Sequence, residues 1–337
     1  MAHARIAAVA SYLPVDCVTY DEIGSKHPDW DIDKLSEVMG IRQLPRAAAD
    51  EYSSDLATKA AKKLLDANSV DRDEVDYVLL VTQTPDYPLP TAACLAQDAL
   101  GLRHSVGALD VRLGCSGYVY ALGLARGLVE SGQASCVLLL TADVMSKMVN
   151  PGDKSTAPVF GDAGTATLVK VSTESQPGIG PFVYGTDGAG AGALIVANGS
   201  LRPGAELNPE SATDRRGLVS QGYDLYMDGG AVFAFTLEVV PPLVKETLRK
   251  AEWALEDVDL FVFHQANRFM IDFLRKRLRI PPDRFWIDME TVGNTGVSTI
   301  PLALSQACEI GRLVPGNRVL VAGFGVGLSW AGATLTW

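Results

Sequence analysis

The sequence predicts an α/β fold assembled from two duplicated βα halves, and three observations lead to it. Two Gly-bracketed turns, Gly114-Cys-Ser-Gly117 and Gly293-Asn-Thr-Gly296, are each followed by an apolar helical run and then a strand. These are Tyr118–Val129 and Val137–Thr141 after the first turn, and Ile300–Ile310 and Val319–Ala322 after the second. Upstream, Glu74-Val-Asp-Tyr-Val-Leu-Leu-Val81 parallels Asp257-Val-Asp-Leu-Phe-Val-Phe263, each following a helix and an acidic turn. The strands are continuous apolar runs, the form buried in a sheet covered on both faces. One βα pattern used twice accounts for all three. The expected division is a first half over 1–170, a connecting surface segment over 171–222 and a second half over 223–337.

Taken in order, Ile6–Val9 reads as the first strand. Tyr20 to Met39 is polar, with Trp30 among aspartates, and reads as a helical surface loop. Ser53 to Asn68 has helical spacing, with Leu56, Ala60, Leu64 and Leu65 inward and Lys59, Lys62 and Lys63 outward. Val75–Val81 is a buried strand, Thr84–Pro90 a proline-stiffened loop at its carboxyl end, and Thr91–Leu100 a helix. Val106–Val111 reads as a strand end. Beyond Val137–Thr141, Asp143 to Pro158 forms a long loop carrying Lys147 and Lys154, and Val159–Leu168 a turn feeding a strand. The glycines of 185–192 are not a nucleotide loop, because they do not sit between a strand and a helix. Met227–Leu248 begins the second half's helical region, and Leu260–Phe263 is a strand.

Composition narrows the function. At 337 residues, 47% hydrophobic and with a mean hydropathy of +0.13, the chain can bury a large core. A net charge of −11 argues against nucleic-acid binding, which needs a basic surface. No apolar run reaches membrane-spanning length, and no signal peptide is visible before Pro14. The five cysteines are scattered without a C-x-x-C pair, which speaks against a structural metal or a disulfide framework. A soluble cytoplasmic protein without a metal is expected.

Cys115 falls at the N-terminus of an apolar helix, where unpaired N–H groups and the helix dipole stabilise an anion. The thiol is therefore expected to ionise more readily than a free one. Asn294 holds the matching place in the second half. His264, one of four histidines, ends a strand, where an α/β sheet directs residues into its crevice. Together the three make a Cys–His–Asn set: a thiol to attack a carbonyl, and an imidazole and an amide to hydrogen-bond a developing oxyanion.

Five stretches in this order resemble the β-ketoacyl-acyl-carrier-protein synthase III branch of the thiolase-fold condensing enzymes: Asp110–Tyr118 around Cys115, Phe160-Gly-Asp-Ala-Gly164, Val262-Phe-His-Gln-Ala-Asn-Arg268, Gly293–Pro301, and Gly323-Phe-Gly-Val-Gly-Leu-Ser-Trp330. The resemblance spans nearly the whole chain. It implies a thiolase-like fold, two βαβαβ halves in a five-layered α-β-α-β-α body. It implies that Cys115 takes an acyl group from a thioester, either acyl-CoA or acyl-carrier, and that His264 and Asn294 stabilise the enolate left when a malonyl-carrier thioester loses CO2. Backbone N–H groups at Cys115 and about Val326 would form the oxyanion hole, and Phe324 would lie near the departing carboxylate. No cofactor is implied, since coenzyme A and the acyl carrier protein bring substrates; the assembly implied is a homodimer.

Departures from the family pattern bear on the substrate. Members carry a Trp shortly before an Arg-Thr-Gly-Ile run that helps bind coenzyme A. Here the run is Val38-Met-Gly-Ile41 and Trp30 lies farther upstream. Lys154 replaces an Arg that contacts phosphate, keeping the charge and losing the bidentate fork. Leu89 takes a loop position that reaches the partner's acyl pocket and is often Phe, which points to a primer other than acetyl. The basic helix after His264, with Arg268, Arg275 and Lys276, resembles a docking surface for an acidic carrier protein. Two alternatives use the same fold: an acyltransferase forming an ester or amide without decarboxylation, and a non-catalytic partner subunit.

Overall fold

The computed structural model describes residues 2–172, 178–201 and 224–337. The first half supplies β1 (His3–Tyr12), the short β2 (Cys17–Thr19) and β3 (Gln43–Pro45), β4 (Tyr77–Val81), β5 (Gly107–Val111), β6 (Cys136–Asp143) and β7 (Ala163–Ser172). Its helices are α1 (Tyr20–Lys26), α2 (Ile32–Met39), α3 (Ser53–Ala67), α4 (Ala92–Ala99) and α5 (Gly117–Glu130). The rest of the described chain adds β8 (Ile179–Thr186), the short β9 (Leu194–Ile195) and β10 (Tyr226–Met227), β11 (Leu260–Phe263), β12 (Arg318–Gly325) and β13 (Ser329–Thr336). It also adds α6 (Gly229–Ala251), α7 (Arg268–Arg277) and α8 (Thr299–Glu309).

Two main sheets result, in the orders β1-β7-β6-β4-β5 and β11-β12-β13-β8. In the first, β6, β4 and β5 run parallel while β7 and β1 are antiparallel. The second repeats this, with β11 parallel to β12 and β13 and β8 antiparallel. The place of β5 is reduced there to a single parallel bridge between Phe261 and Phe285. The duplication read from the sequence is therefore present in the topology, with the four strands of the second sheet matching four of the five in the first.

That correspondence corrects the expected boundary. β8 is the counterpart of β1 and pairs with β13, so part of 171–222 belongs to the second half's sheet rather than to a surface connection. The first sheet meanwhile runs on to Ser172; residues 173–177 and 202–223 lie outside the described residues. The stretch Tyr20–Met39 is also more ordered than a loop: α1 has a capping box between Thr19 and Glu22, and Asp31 caps α2.

Strand alternation explains the layers. In β4 and β6, Leu79, Val81, Val137 and Leu139 face inward with α5 and α8, while Val78, Leu80, Leu138 and Leu140 face α3 and α4. In β11 and β12, Leu260, Val262, Val319 and Val321 join the same central core. On the other side Phe261, Phe263, Leu320 and Phe324 pack with residues of α6 and α7. Two sheets, each buried on both faces, thus enclose a central pair of helices and are covered by outer ones. This is the five-layered arrangement, and it turns the starts of the central helices toward the strand ends of both halves.

Candidate active site

Cys115 lies between β5 and α5, and its place is fixed from both sides. Upstream, Asp110 accepts from the N–H groups of Ala92 and Ala93 at 2.8 and 2.7 Å, tying the end of β5 to the start of α4. Opposite, the end of β12 passes so close that a Cβ on Gly325 would stand 2.5 Å from Cys115 Sγ. Only glycine admits the thiol there. The turn after β12 brings the Val326 N–H onto the sulfur. Ser329 Oγ donates to Val326 O at 2.8 Å and lies 2.7 Å from Ser116 Oγ, so a serine pair clamps this turn to the residue beside Cys115.

Asn294 and His264 arrive from the second half. Asn294 is bridged to Phe160: its N–H donates to Val159 O at 2.9 Å, and its carbonyl accepts from Gly161 N–H at 3.0 Å. It stands before a 3-10 turn, Gly296–Ser298, rather than at the start of α8 itself. Its Oδ1 accepts from the Gly296 N–H at 3.0 Å. The amide's acceptor is thereby occupied, and Nδ2 is left to donate. His264 closes β11, with its Nδ1 2.6 Å from Thr299 Oγ1 and its ring edge-on to Phe324 at 5.8 Å.

Cys115, His264, Asn294 and Phe324 all line one cavity of about 360 Å³, with Gln83 beside them. Burial sets the electrostatics. It lowers the His264 pKa to about 3, so the ring is neutral over the physiological range. It pushes the Cys115 thiol up to about 11, outweighing the N–H groups of Val326 and Cys115 that favour a thiolate, and the Asp143 carboxylate adds to the rise. The expected easy ionisation of Cys115 is thus corrected. The helix end does present donors, but the thiol of a residue only 7% exposed has lost the water that would solvate its anion.

Asp143 and Gln83, which sequence patterns did not single out, join the halves behind the site. Asp143 is fully buried. It accepts from Val297 N–H, Gln83 N–H and Gln83 Nε2, each at 2.9 Å, and from Thr82 Oγ1 at 3.1 Å. A side chain on Gly296, whose φ is +60°, would collide with this carboxylate. Burial raises the Asp143 pKa to about 6 against the pull of those donors. The only sequence signal available was an acidic residue at the end of an apolar strand, a common pattern with no chemistry attached.

The outer residues separate. Lys154 lines the cavity, together with Leu35 and Met39 of α2. Trp30 does not: it is buried against the α1–α2 core and stacks on His27 at 4.1 Å. The helix α2, inserted after it, takes the wall instead. Leu89 is 84% exposed and lines no part of its own chain's cavity. On α7, Arg268 is exposed, whereas Arg275 is engaged with Asp272 at 2.8 Å and with Ile280 O at 3.1 Å. Lys276 pairs with the same Asp272 at 2.7 Å but keeps most of its surface free. Arg275 is therefore a structural residue of the helix end, unlike its two neighbours. Exposed Phe269 and Phe273 pack around Phe233 next to this basic rim.

The family profile described as 3-oxoacyl-[acyl-carrier-protein (ACP)] synthase III matches residues 109–188, and that of its C-terminal part matches residues 248–337. A β-ketoacyl-[acyl-carrier-protein] synthase III of Rhodopirellula baltica is 34% identical, over 99% of this chain and 98% of that protein. The chain belongs to the β-ketoacyl-acyl-carrier-protein synthase III family. A synthase III from Streptomyces coelicolor is 36% identical over 98% of this chain and 96% of its own length. A crystal structure of a 3-oxoacyl-(acyl-carrier-protein) synthase III superimposes with a TM-score of 0.95 at 48% identity, covering 99% of this chain and 100% of that one. The Thermus thermophilus synthase III gives a TM-score of 0.89 at 38% identity, with 99% of each chain covered. The synthase III family thus supplies the fold expected from the motifs, the thiolase-like one.

Proposed function

We propose that this synthase III family member joins an acyl group held on Cys115 to a malonyl-carrier thioester with loss of CO2. The observation that carries this is the single cavity in which one thiol meets a neutral imidazole and an amide whose acceptor is already occupied. In the first half-reaction the Cys115 sulfur attacks the acyl thioester carbonyl, its proton passing to the departing thiol. The N–H groups of Val326 and Cys115 hold the tetrahedral oxyanion. In the second, the malonyl C–CO2 bond breaks and its electron pair moves into the enolate, whose oxygen is held by His264 and Asn294. The enolate carbon then attacks the acyl-Cys carbonyl, and the Cys115 thiolate leaves and takes up a proton. Neutral donors suit this step because the imidazole need not lose or gain charge. Ester or amide formation without decarboxylation would leave that pair without a task.

The donor is an acyl-CoA or acyl-carrier thioester, with Lys154 at the cavity wall as its phosphate contact. Apolar Leu35, Met39, Met145, Leu225, Met227 and Met270 line the same space, which favours an acyl group longer than acetyl; methionines adapt well to flexible chains. Acyl carrier protein docks at the exposed Arg268 and Lys276. Intact-mass analysis after exposure to acetyl-CoA, longer acyl-CoA and acyl-carrier thioesters is expected to show a Cys115 adduct, preferentially with the longer groups, followed by CO2 release on adding malonyl-carrier. Absence of CO2 release from an acylated enzyme would remove the condensation, and preferred labelling by acetyl-CoA would remove the chain-length assignment.

We also assign a homodimer working in the cytoplasm. Strand β5 ends its sheet and presents Leu109, 44% exposed, with Tyr87 and Leu89 exposed on the loop nearby; an unpaired, apolar edge is a site for a second copy. Leu89 would then reach the partner's acyl pocket. All five cysteines are free, in keeping with a reducing compartment. Leu109→Asp is expected to shift the mass in light scattering from dimer to monomer; an unchanged dimer would place the interface elsewhere.

A further inference from the structure

The imidazole of His264 can serve as a donor toward the enolate only if its proton sits on Nε2. We infer that the hydroxyl of Thr299 holds the proton there by donating to Nδ1, which makes Thr299 a positioning residue of the second half-reaction. The inference rests on the decarboxylating function proposed above but concerns a separate property, the tautomer of one ring.

Nδ1 lies 2.6 Å from Thr299 Oγ1, and the hydroxyl has a single proton to give. Its other neighbour, Gly296 O, is 3.3 Å away. If the proton went to Gly296 O, the hydroxyl would accept from Nδ1–H and Nε2 would face the cavity as a bare lone pair. Two distances oppose that arrangement. A hydroxyl donating to oxygen favours about 2.5–3.0 Å, so 3.3 Å is long, and an N–H donating to oxygen spans about 2.7–3.2 Å, so 2.6 Å is short. An O–H directed at a ring nitrogen accounts for both.

The site offers little to compete for that hydroxyl. Thr299 is 2% exposed and His264 likewise 2% exposed, and Thr299 is the first residue of α8, held by the helix. The same turn acts on both reacting groups. Gly296 N–H takes the acceptor of Asn294, and Thr299, three residues on, takes the acceptor of His264. Each side chain then turns only N–H groups to the cavity. In a buried site the neutral ring would otherwise be free to choose either tautomer, since which nitrogen carries the proton is set by the hydrogen bond made by the other.

The test combines nitrogen NMR of 15N-histidine-labelled protein with steady-state CO2 release from malonyl-carrier. The His264 signals are assigned by their loss in His264→Ala. In the wild type, Nε2 is expected to be the protonated nitrogen and Nδ1 the bare one. Thr299→Val, which keeps the shape and removes the hydroxyl, is expected to mix the tautomers and to lower kcat for CO2 release in proportion to the rings that lose the Nε2 proton, about 2–10-fold for a mixture, with KM for the carrier substrate changed far less. Thr299→Ser is expected to restore both the NMR signature and most of the rate. A wild-type ring protonated on Nδ1 would overturn the inference, as would a Thr299→Val protein that keeps the Nε2–H signature. If Thr299→Val does not fold, the wild-type and Thr299→Ser spectra still decide. Failure of the wild type to release CO2 would instead count against the proposed function, leaving the tautomer to be read from the spectra.

Discussion

Replacing His264 or Asn294 by alanine is expected to slow CO2 release from malonyl-carrier substrate by about 10²–10³-fold each, the typical cost of removing one preorganised oxyanion donor. The double variant should be much less than multiplicatively worse, because the two groups hold one oxygen and act as a unit. Acylation of Cys115 should suffer far less than decarboxylation, since its oxyanion is proposed to rest on the N–H groups of Val326 and Cys115 instead. Stopped-flow acyl transfer and CO2 release, measured on the same preparations, would separate the half-reactions. Equal losses in both would mean that His264 activates the thiol instead. Its pKa, lowered to about 3 by burial, makes it a poor resident base for a thiol that burial has pushed up to about 11.

Asp143→Ala is expected to be the most destabilising single change in the site, by at least about 3 kcal/mol. It strands buried donors on Val297 and Gln83, each costing about 1–3 kcal/mol when left unpaired. It also loosens the turn that carries Asn294. Because burial raises the folded-state pKa of Asp143 to about 6, above that of the unfolded chain, the native state binds this proton more tightly. Its contribution is thus full at pH below about 4 and declines as pH rises through about 6. The stability advantage of wild type over Asp143→Ala in denaturant titrations should shrink between about pH 4 and 6 and level off above. An advantage that grows over this interval would mean that the four donors, not desolvation, set the ionisation of Asp143.

The shared dependence of both halves on Asp143 helps to explain why a duplicated fold makes one site rather than two. Cys115, the proposed nucleophile, comes from the first half, and His264 and Asn294, the proposed enolate donors, come from the second. The carboxylate at the end of β6 fastens the turn holding Asn294 to the loop after β4. Gly325 and Val326, at the end of β12, close over the sulfur in return. Each half therefore holds part of the shared cavity in place for the other.

The amino-acid sequence by itself determined the duplication, the buried strands and the three residues, Cys115, His264 and Asn294, that meet in one cavity. Those features follow from local rules: apolar runs form strands, glycine-bracketed turns precede helices, and the matched places of Cys115 and Asn294 in a duplicated pattern single them out. It also carried the family motifs, whose glycines keep backbone close to Cys115. Only the tertiary structure decided the rest. Whether Cys115 ionises depends on how many atoms exclude water from it, a sum over both halves that no window of sequence contains. The parentage of β8, the withdrawal of Trp30 from the cavity, the internal pairing of Arg275, and the meeting of Thr299 with His264 are likewise long-range packing outcomes. Patterns along a chain fix which residues can do chemistry; packing across it fixes their solvation, partners and protons.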